Sequence, residues 1–192
     1  MGDSTYTIGY LVGSLASDSI NRRLSEALIR LAPHHLTFTE VPIDTVPLYS
    51  RDYDASFPRE AVELKESIEA VDGILFVTPE YNRDIPGALK NAIDWASRPW
   101  GENSFARKPS AVNGASVGKI GTAVAQQNLR SVLSYLDSPQ MNAPEAYIEF
   151  TDGLVDDEGR VTVADTEEFL RTFMSEFATF VERVLTVLPR ND

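Results

Sequence analysis

Gly73-Ile74-Leu75-Phe76-Val77-Thr78 runs directly into Pro79-Glu80-Tyr81-Asn82-Arg83-Asp84-Ile85-Pro86-Gly87, and then into Ala88-Leu89-Lys90-Asn91-Ala92-Ile93-Asp94-Trp95. Ile74 to Val77 is continuously apolar and short, the pattern of a strand buried on both faces. Ile85, Leu89, Ala92, Ile93 and Ala96 recur at helical spacing. Pro86 stands near the start of that helix, where its missing N–H costs nothing. A buried strand, a loop with proline near each end and a helix make one half of a crossover unit.

The same alternation extends in both directions. Tyr6 to Val12 is a second apolar, β-branched run ending at Gly13, and Leu24, Ala27, Leu28 and Leu31 then stripe a helix stopped by Pro33. A strand is predicted at about Leu36 to Val41, followed by a turn-rich segment containing Pro47 and Pro58 and a helix marked by Ala61, Leu64, Ile68 and Val71. Beyond Trp95 the pattern predicts a strand at Ser110 to Gly114 and a helix from Gly121 to Leu136. A last strand is expected between Met141 and Phe150. Phe169, Phe173, Phe177, Phe180, Val184 and Leu188 stripe a closing helix, with Asp165 and Glu168 spaced as a capping box. Five alternations with crossovers of this length imply a doubly wound α/β fold, a parallel sheet covered on both faces. Ligands of such sheets sit beyond the carboxyl ends of the strands. The segments after Val12, Thr78 and Val112 are therefore the ones to inspect.

Composition narrows the chemistry. The 192 residues are 43% hydrophobic, which suits one domain over 1–192 with a sizeable core. The net charge of −12 opposes nucleic acid and anionic membrane surfaces. With no cysteine, disulfides, thiolate nucleophiles, iron–sulfur clusters and cysteine zinc sites are all excluded. His34 and His35, the only histidines, follow Pro33 as loop residues, so no metal site is expected. No basic segment precedes the apolar stretch at the start, and no run approaches a membrane span, so a cytoplasmic protein is expected.

The first loop, Gly13-Ser14-Leu15-Ala16-Ser17-Asp18-Ser19-Ile20-Asn21-Arg22, joins a buried strand to a helix start. Free N–H groups at a helix N-terminus, with side-chain donors from Ser14, Ser19 and Asn21, make an anion cradle without lysine. A helix cap in a hydrophilic loop uses the same residue types. The better-known phosphate loops are absent: Gly114-Ala115-Ser116-Val117-Gly118-Lys119-Ile120 is one residue short of a P-loop and ends on isoleucine, and no G-x-G-x-x-G follows a strand. The second loop, stiffened by Pro79 and Pro86, can hold backbone N–H groups toward a flat ring, with Tyr81 and Asn82 flanking it. A plain strand-to-helix connection with Tyr81 merely packed is the alternative.

These features resemble the NADPH-dependent FMN reductase family, which includes bacterial quinone, azo-dye and chromate reductases and flavin-supplying reductases. The resemblance rests on G-S-L-x-x-x-S-x-N-R at Gly13 to Arg22, on P-E-Y-N at Pro79 to Asn82 with its P-G-x-L-K-N-A-I-D-W continuation, and on Ser116-x-Gly118 followed by Leu129-Arg130. It implies a flavodoxin-like three-layer α/β/α sandwich with a five-stranded parallel sheet. It further implies FMN held at its phosphate by Ser14, Ser19 and Asn21 with the intervening backbone of Leu15, Ile20 and Arg22. By the same resemblance Pro79, Glu80, Tyr81, Asn82 and Arg83 contact the isoalloxazine, and Ser116 and Gly118 line its far edge. Similar proteins are dimers or tetramers, and Trp95 and Trp100 are candidate interface aromatics, with a core place for Trp95 the equal alternative. The acidic stretch from Thr151 to Asp165 lies outside the motifs and is expected to be a solvated loop.

A flavin supplies its own redox chemistry, which suits a chain with no catalytic triad. The expected activity is two-electron, ping-pong transfer from NADPH or NADH through FMN to quinones or similar small acceptors. A flavodoxin-style single-electron carrier between protein partners is the rival. A regulatory protein that binds no cofactor is a third reading.

Overall fold

The computed structural model describes residues 4–189. Five parallel strands form one sheet: β1 (Tyr6–Val12), β2 (Leu36–Glu40), β3 (Gly73–Val77), β4 (Ser110–Ser116) and β5 (Ala146–Glu149). Their order is β2-β1-β3-β4-β5. Between and after them run α1 (Ile20–Leu31), α2 (Arg59–Glu69), α3 (Gly87–Ala96), α4 (Ala123–Tyr135) and α5 (Ala164–Val187). The strand order is that of the flavodoxin-like doubly wound fold, whose winding reverses between β1 and β3.

Side-chain alternation along the strands divides the interior in two. Leu75 and Val77 of β3 point to one face, where α1 and α5 bring Leu24, Leu28, Phe173 and Phe177. Ile74 and Phe76 point to the other, where α2, α3 and α4 bring Ile68, Leu89, Trp95 and Leu129. Every β3 residue is buried, as its unbroken apolar run requires. Each large side chain buried in this way contributes roughly 1.5–3 kcal/mol.

Two expectations are corrected. α5 begins at Ala164 after Val163 with no side-chain cap, so Asp165 and Glu168 form no capping box. Asp165 instead lies in the first turn, where its charge complements the helix dipole. The acidic segment is no solvated loop: Val155 and Val161 pair as a hairpin, and Leu154, Val155 and Val161 are buried. That hairpin docks on α1, whose Arg23 and Arg30 donate to the carbonyls of Val155 and Glu158.

Trp95 is a core residue. It is fully buried, its Nε1 donates to the Pro47 carbonyl at 2.6 Å, and the rings of Tyr49, Tyr53 and Phe57 surround it. One turn earlier, Asn91 accepts from the Tyr49 N–H at 2.8 Å and donates to the Pro47 carbonyl at 2.9 Å. The asparagine and tryptophan of the long motif therefore hold down the segment between β2 and α2. Trp100, by contrast, is 78% exposed. Among the described residues no helix is long and apolar enough to cross a membrane.

Candidate functional site

The three loops meet at the carboxyl ends of β1, β3 and β4, where the backbones pass very close. The Gly13 N–H donates to the Val77 carbonyl and the Thr78 N–H to the Asn113 carbonyl, both at 2.9 Å. A Cβ on Gly114 would lie 2.1 Å from the Thr78 carbonyl oxygen, so no other residue fits there. Gly121 has φ +55, and a Cβ on it would stand 2.4 Å from the Tyr147 carbonyl carbon.

Ser19 begins α1 as its N-cap, its hydroxyl oxygen accepting from the Arg22 N–H at 3.2 Å. The Arg22 and Arg23 N–H groups also reach the Ser19 carbonyl. The N–H groups of Ile20 and Asn21 are left without an acceptor among the described residues, as the first turn of any helix requires. Ser14 and Ser19 are nearly buried, and their hydroxyl hydrogens remain available. This set of neutral donors at a positive dipole end fits a phosphate.

The side chains of two residues of the first loop are committed within the fold. The Asn21 side chain is 1% exposed and wholly engaged with β4: Nδ2 donates to the Ala115 carbonyl at 3.0 Å, and Oδ1 accepts from the Ala115 N–H at 2.9 Å. It braces the helix start against the sheet, and only its backbone N–H remains for an anion. Arg22 forms a two-point pair with Glu40, at 2.8 and 3.1 Å, and Tyr10 donates to the same carboxylate. The Arg22 bond holds the Glu40 carboxyl below its usual range against the opposing effect of burial. Burial, followed by the charge of Glu40, raises the Tyr10 phenol. Arg22, Glu40 and Asp44 wall a pocket of about 390 Å³ beside Ser14, Leu15, Ala16 and Ser17. The cradle thus lacks an uncommitted basic side chain.

In the second loop Tyr81 and Asp84 exchange backbone hydrogen bonds at 2.9 and 3.0 Å. The two residues between them, Asn82 and Arg83, have φ 53 and 66. This is a two-residue hairpin turn in which both central residues are left-handed, the geometry that favours Asn-Gly. Asparagine tolerates it; arginine there costs about 1–2 kcal/mol. Tyr81 is 51% exposed. Asn128 of α4 steadies the turn by donating to the Arg83 carbonyl and the Asp84 carboxylate.

Glu80 is turned away from the open face. Its Oε2 accepts from the N–H groups of Val124 and Ala125, at 3.0 and 3.1 Å, and Oε1 accepts from Arg83 at 2.8 Å. The Glu80 side chain is 7% exposed, whereas that of Arg83 is 66% exposed. α4 needs this cap from outside, because its own N-cap, Thr122, makes no side-chain cap bond. The Thr122 hydroxyl accepts from Gln126 instead. In the third loop the Ser116 hydroxyl donates to the Gly118 carbonyl at 2.9 Å, and Val117, Lys119 and Ile120 are exposed. No local pattern signals the ties made by Asn21 and Glu80, although both residues lie inside recognisable motifs.

Elsewhere, a cavity of about 490 Å³ between Glu69, Asp72, Arg107 and the end of α5 lies at the amino ends of the strands, far from these loops. Among the described residues no group of three or more histidine, aspartate or glutamate side chains stands ready to hold a metal ion.

A parallel sheet of this order, with a neutral phosphate cradle at its switch point and two braced loops alongside, defines a flavodoxin-like protein built for a flavin mononucleotide. The chain belongs to the NADPH-dependent FMN reductase family, whose model matches residues 6–152. It is 51% identical over 174 residues to a 2-hydroxy-1,4-benzoquinone reductase from Burkholderia sp, covering 91% of this chain and 95% of that one. It is 44% identical over 178 residues to a quinone reductase from Pseudomonas putida, covering 92% and 95%. Among solved structures, the flavoenzyme NAD(P)H:(acceptor) oxidoreductase FerB from Paracoccus denitrificans superposes with a TM-score of 0.90 at 42% identity, covering 93% and 98%.

Proposed function

We propose that the protein is an FMN-dependent reductase that takes electrons from NADH or NADPH and delivers them to quinones. Bound FMN supplies the hydride chemistry; the chain's part is to bind, orient and expose it. The first turn of α1 with Ser14 and Ser19 takes the phosphate. Pro79 to Arg83 present a stiff wall beside the ring, and Ser116 and Gly118 approach its far edge. Glu80 and Asn21 act through the loops they fix. The convergence of the neutral cradle with two cross-braced loops carries this reading, and the quinone reductases among the relatives support the acceptor class.

Nicotinamide and acceptor use one open face in turn, so ping-pong kinetics are expected, with high quinone concentrations competing against the nicotinamide. We place the enzyme in the cytoplasm, where both nicotinamides are at hand, as a homodimer or homotetramer. The exposed Trp100 supports an aromatic contact, and light scattering tests the assembly. The deciding experiment for the function is an anaerobic titration of the FMN-loaded protein with each nicotinamide, followed by a panel of quinones. Rapid bleaching, reversed by a quinone, is expected. A protein bleached by neither nicotinamide, and dependent on a partner reductase, would overturn the reading in favour of an electron carrier.

A further inference from the structure

The pocket beside the first loop lies at the carboxyl end of the sheet, and the flavin assignment leaves it unused. Its volume of about 390 Å³ falls in the range of small-ligand sites, about 300–1,000 Å³. Ser14 to Ser17 form one wall, which the pocket shares with the phosphate cradle, and the buried Val12, Val41 and Ile43 add apolar lining. The charged groups of the lining are one guanidinium, Arg22, and two carboxylates, Glu40 and Asp44. Glu40 is the last residue of β2, and its side chain is 37% exposed despite the bond to Arg22. Its Oε2 accepts from Arg22 and Tyr10, whereas Oε1 accepts from Arg22 alone and keeps one acceptor position. Asp44 is exposed, and its carboxylate has no partner among the described residues.

We propose that this pocket receives the adenosine ribose of the reducing dinucleotide, and that Glu40 and Asp44 select NADH against NADPH. The inference rests on the reductase reading, which sets a nicotinamide on the flavin and leaves its adenosine half to lie along the first loop. In doubly wound dinucleotide sites a carboxylate about 20 residues past the phosphate loop accepts from the ribose 2′-hydroxyl, and a nearby arginine admits a 2′-phosphate. Glu40 stands 18 positions beyond Arg22, where the first loop ends. Arg22 is the arginine of this wall, and its two-point bond to Glu40 commits its charge. A 2′-phosphate would therefore meet two carboxylates against one committed cation, in a chain whose net charge of −12 already repels it. A ribose diol carries no charge and donates two hydroxyls. The open position on Glu40 and the carboxylate of Asp44 are acceptors for them.

The test compares kcat/KM for NADH with that for NADPH in the FMN-loaded parent, E40Q and D44N, with 2-methyl-1,4-naphthoquinone as acceptor. The parent should favour NADH by about tenfold at low salt, and the preference should shrink as salt screens the charge. E40Q removes one carboxylate and frees Arg22 for a phosphate, so the NADH-to-NADPH ratio should fall about tenfold. D44N should lower it about threefold, and it keeps the test alive if loss of the ion pair unfolds E40Q. Calorimetric binding of ADP-ribose against its 2′-phosphate to the same proteins should show the same order without any turnover. A parent that takes NADPH as readily as NADH overturns the inference. So does a ratio unchanged in both variants, even where both rates drop together, since a merely damaged loop slows both coenzymes alike. If neither nicotinamide reduces the flavin, the reductase reading fails, and the two ADP-riboses still decide the role of the pocket.

Discussion

Replacing Glu80 with alanine removes the side-chain cap that α4 has among the described residues and leaves the Asn128 bonds to tie the second loop to that helix. Two N–H groups, those of Val124 and Ala125, lose a charged acceptor in a part-buried place. Hydrogen bonds to charged groups contribute about 1.5–3 kcal/mol each, but the two share one carboxylate oxygen, and water replaces part of the loss. Adding the lost helix-dipole term brings the expected cost to about 3 kcal/mol. For a domain of this length that is a fall in melting temperature of about 6–12 °C. Glu80→Gln keeps one neutral acceptor and should lose about half as much. FMN affinity should drop further than stability alone requires, since the two walls of the ring site would be held together by the Asn128 bonds alone. Differential scanning calorimetry of the apo and FMN-saturated forms reads the first effect, and quenching of FMN fluorescence reads the second. An alanine variant that melts with the parent in both forms would refute the capping argument.

Asn21→Ala should cost about 2–4 kcal/mol, because it leaves the buried N–H and C=O of Ala115 unpaired. Hydrogen exchange at the Ala115 amide should accelerate, and an unchanged rate would count against the brace. Ser14→Ala with Ser19→Ala should weaken FMN by about 1.5–3 kcal/mol per hydroxyl while sparing riboflavin, which lacks the phosphate. The Ser19 change alone should also cost about 1 kcal/mol of stability through the lost cap, and equal losses for both flavins in titration calorimetry would sink the assignment. Glu40→Gln tests the ion pair through pH. The folded carboxyl titrates below its unfolded value, so its contribution is complete above that value and fades as pH falls through the folded one. The stability gap between parent and variant should hold steady near neutrality and close only below the ordinary glutamate value of 4.5. A gap that stays open in urea melts at lower pH would exclude the pair as its source.

Strand and helix periodicity made the layered fold legible, and the strongest elements were the plainest: β3 reads as buried on both faces because it is. The candidate loops were equally legible, since their place after β1, β3 and β4 follows from the winding. The sequence could not disclose which side chains serve the ligand and which serve the frame. Glu80 meets α4 across 44 positions, and Asn21 meets β4 across 94. No local spacing encodes such meetings. Core and interface stayed equally open for Trp95 because the segment that buries it has little regular structure and no periodic signal. The docked hairpin left a fainter trace, in Arg23 and Arg30 placed two turns apart on α1.

The cross-ties made by Asn21 and Glu80 run from loop to loop, and neither passes through the cofactor. The empty protein should therefore hold the same receptive shape as the filled one, with no segment waiting to be ordered by arrival of the flavin. Association should then be a single kinetic phase governed by encounter, and differences among variants should lie in the dissociation rate. Chain made while flavin is scarce would stand ready and convert on contact.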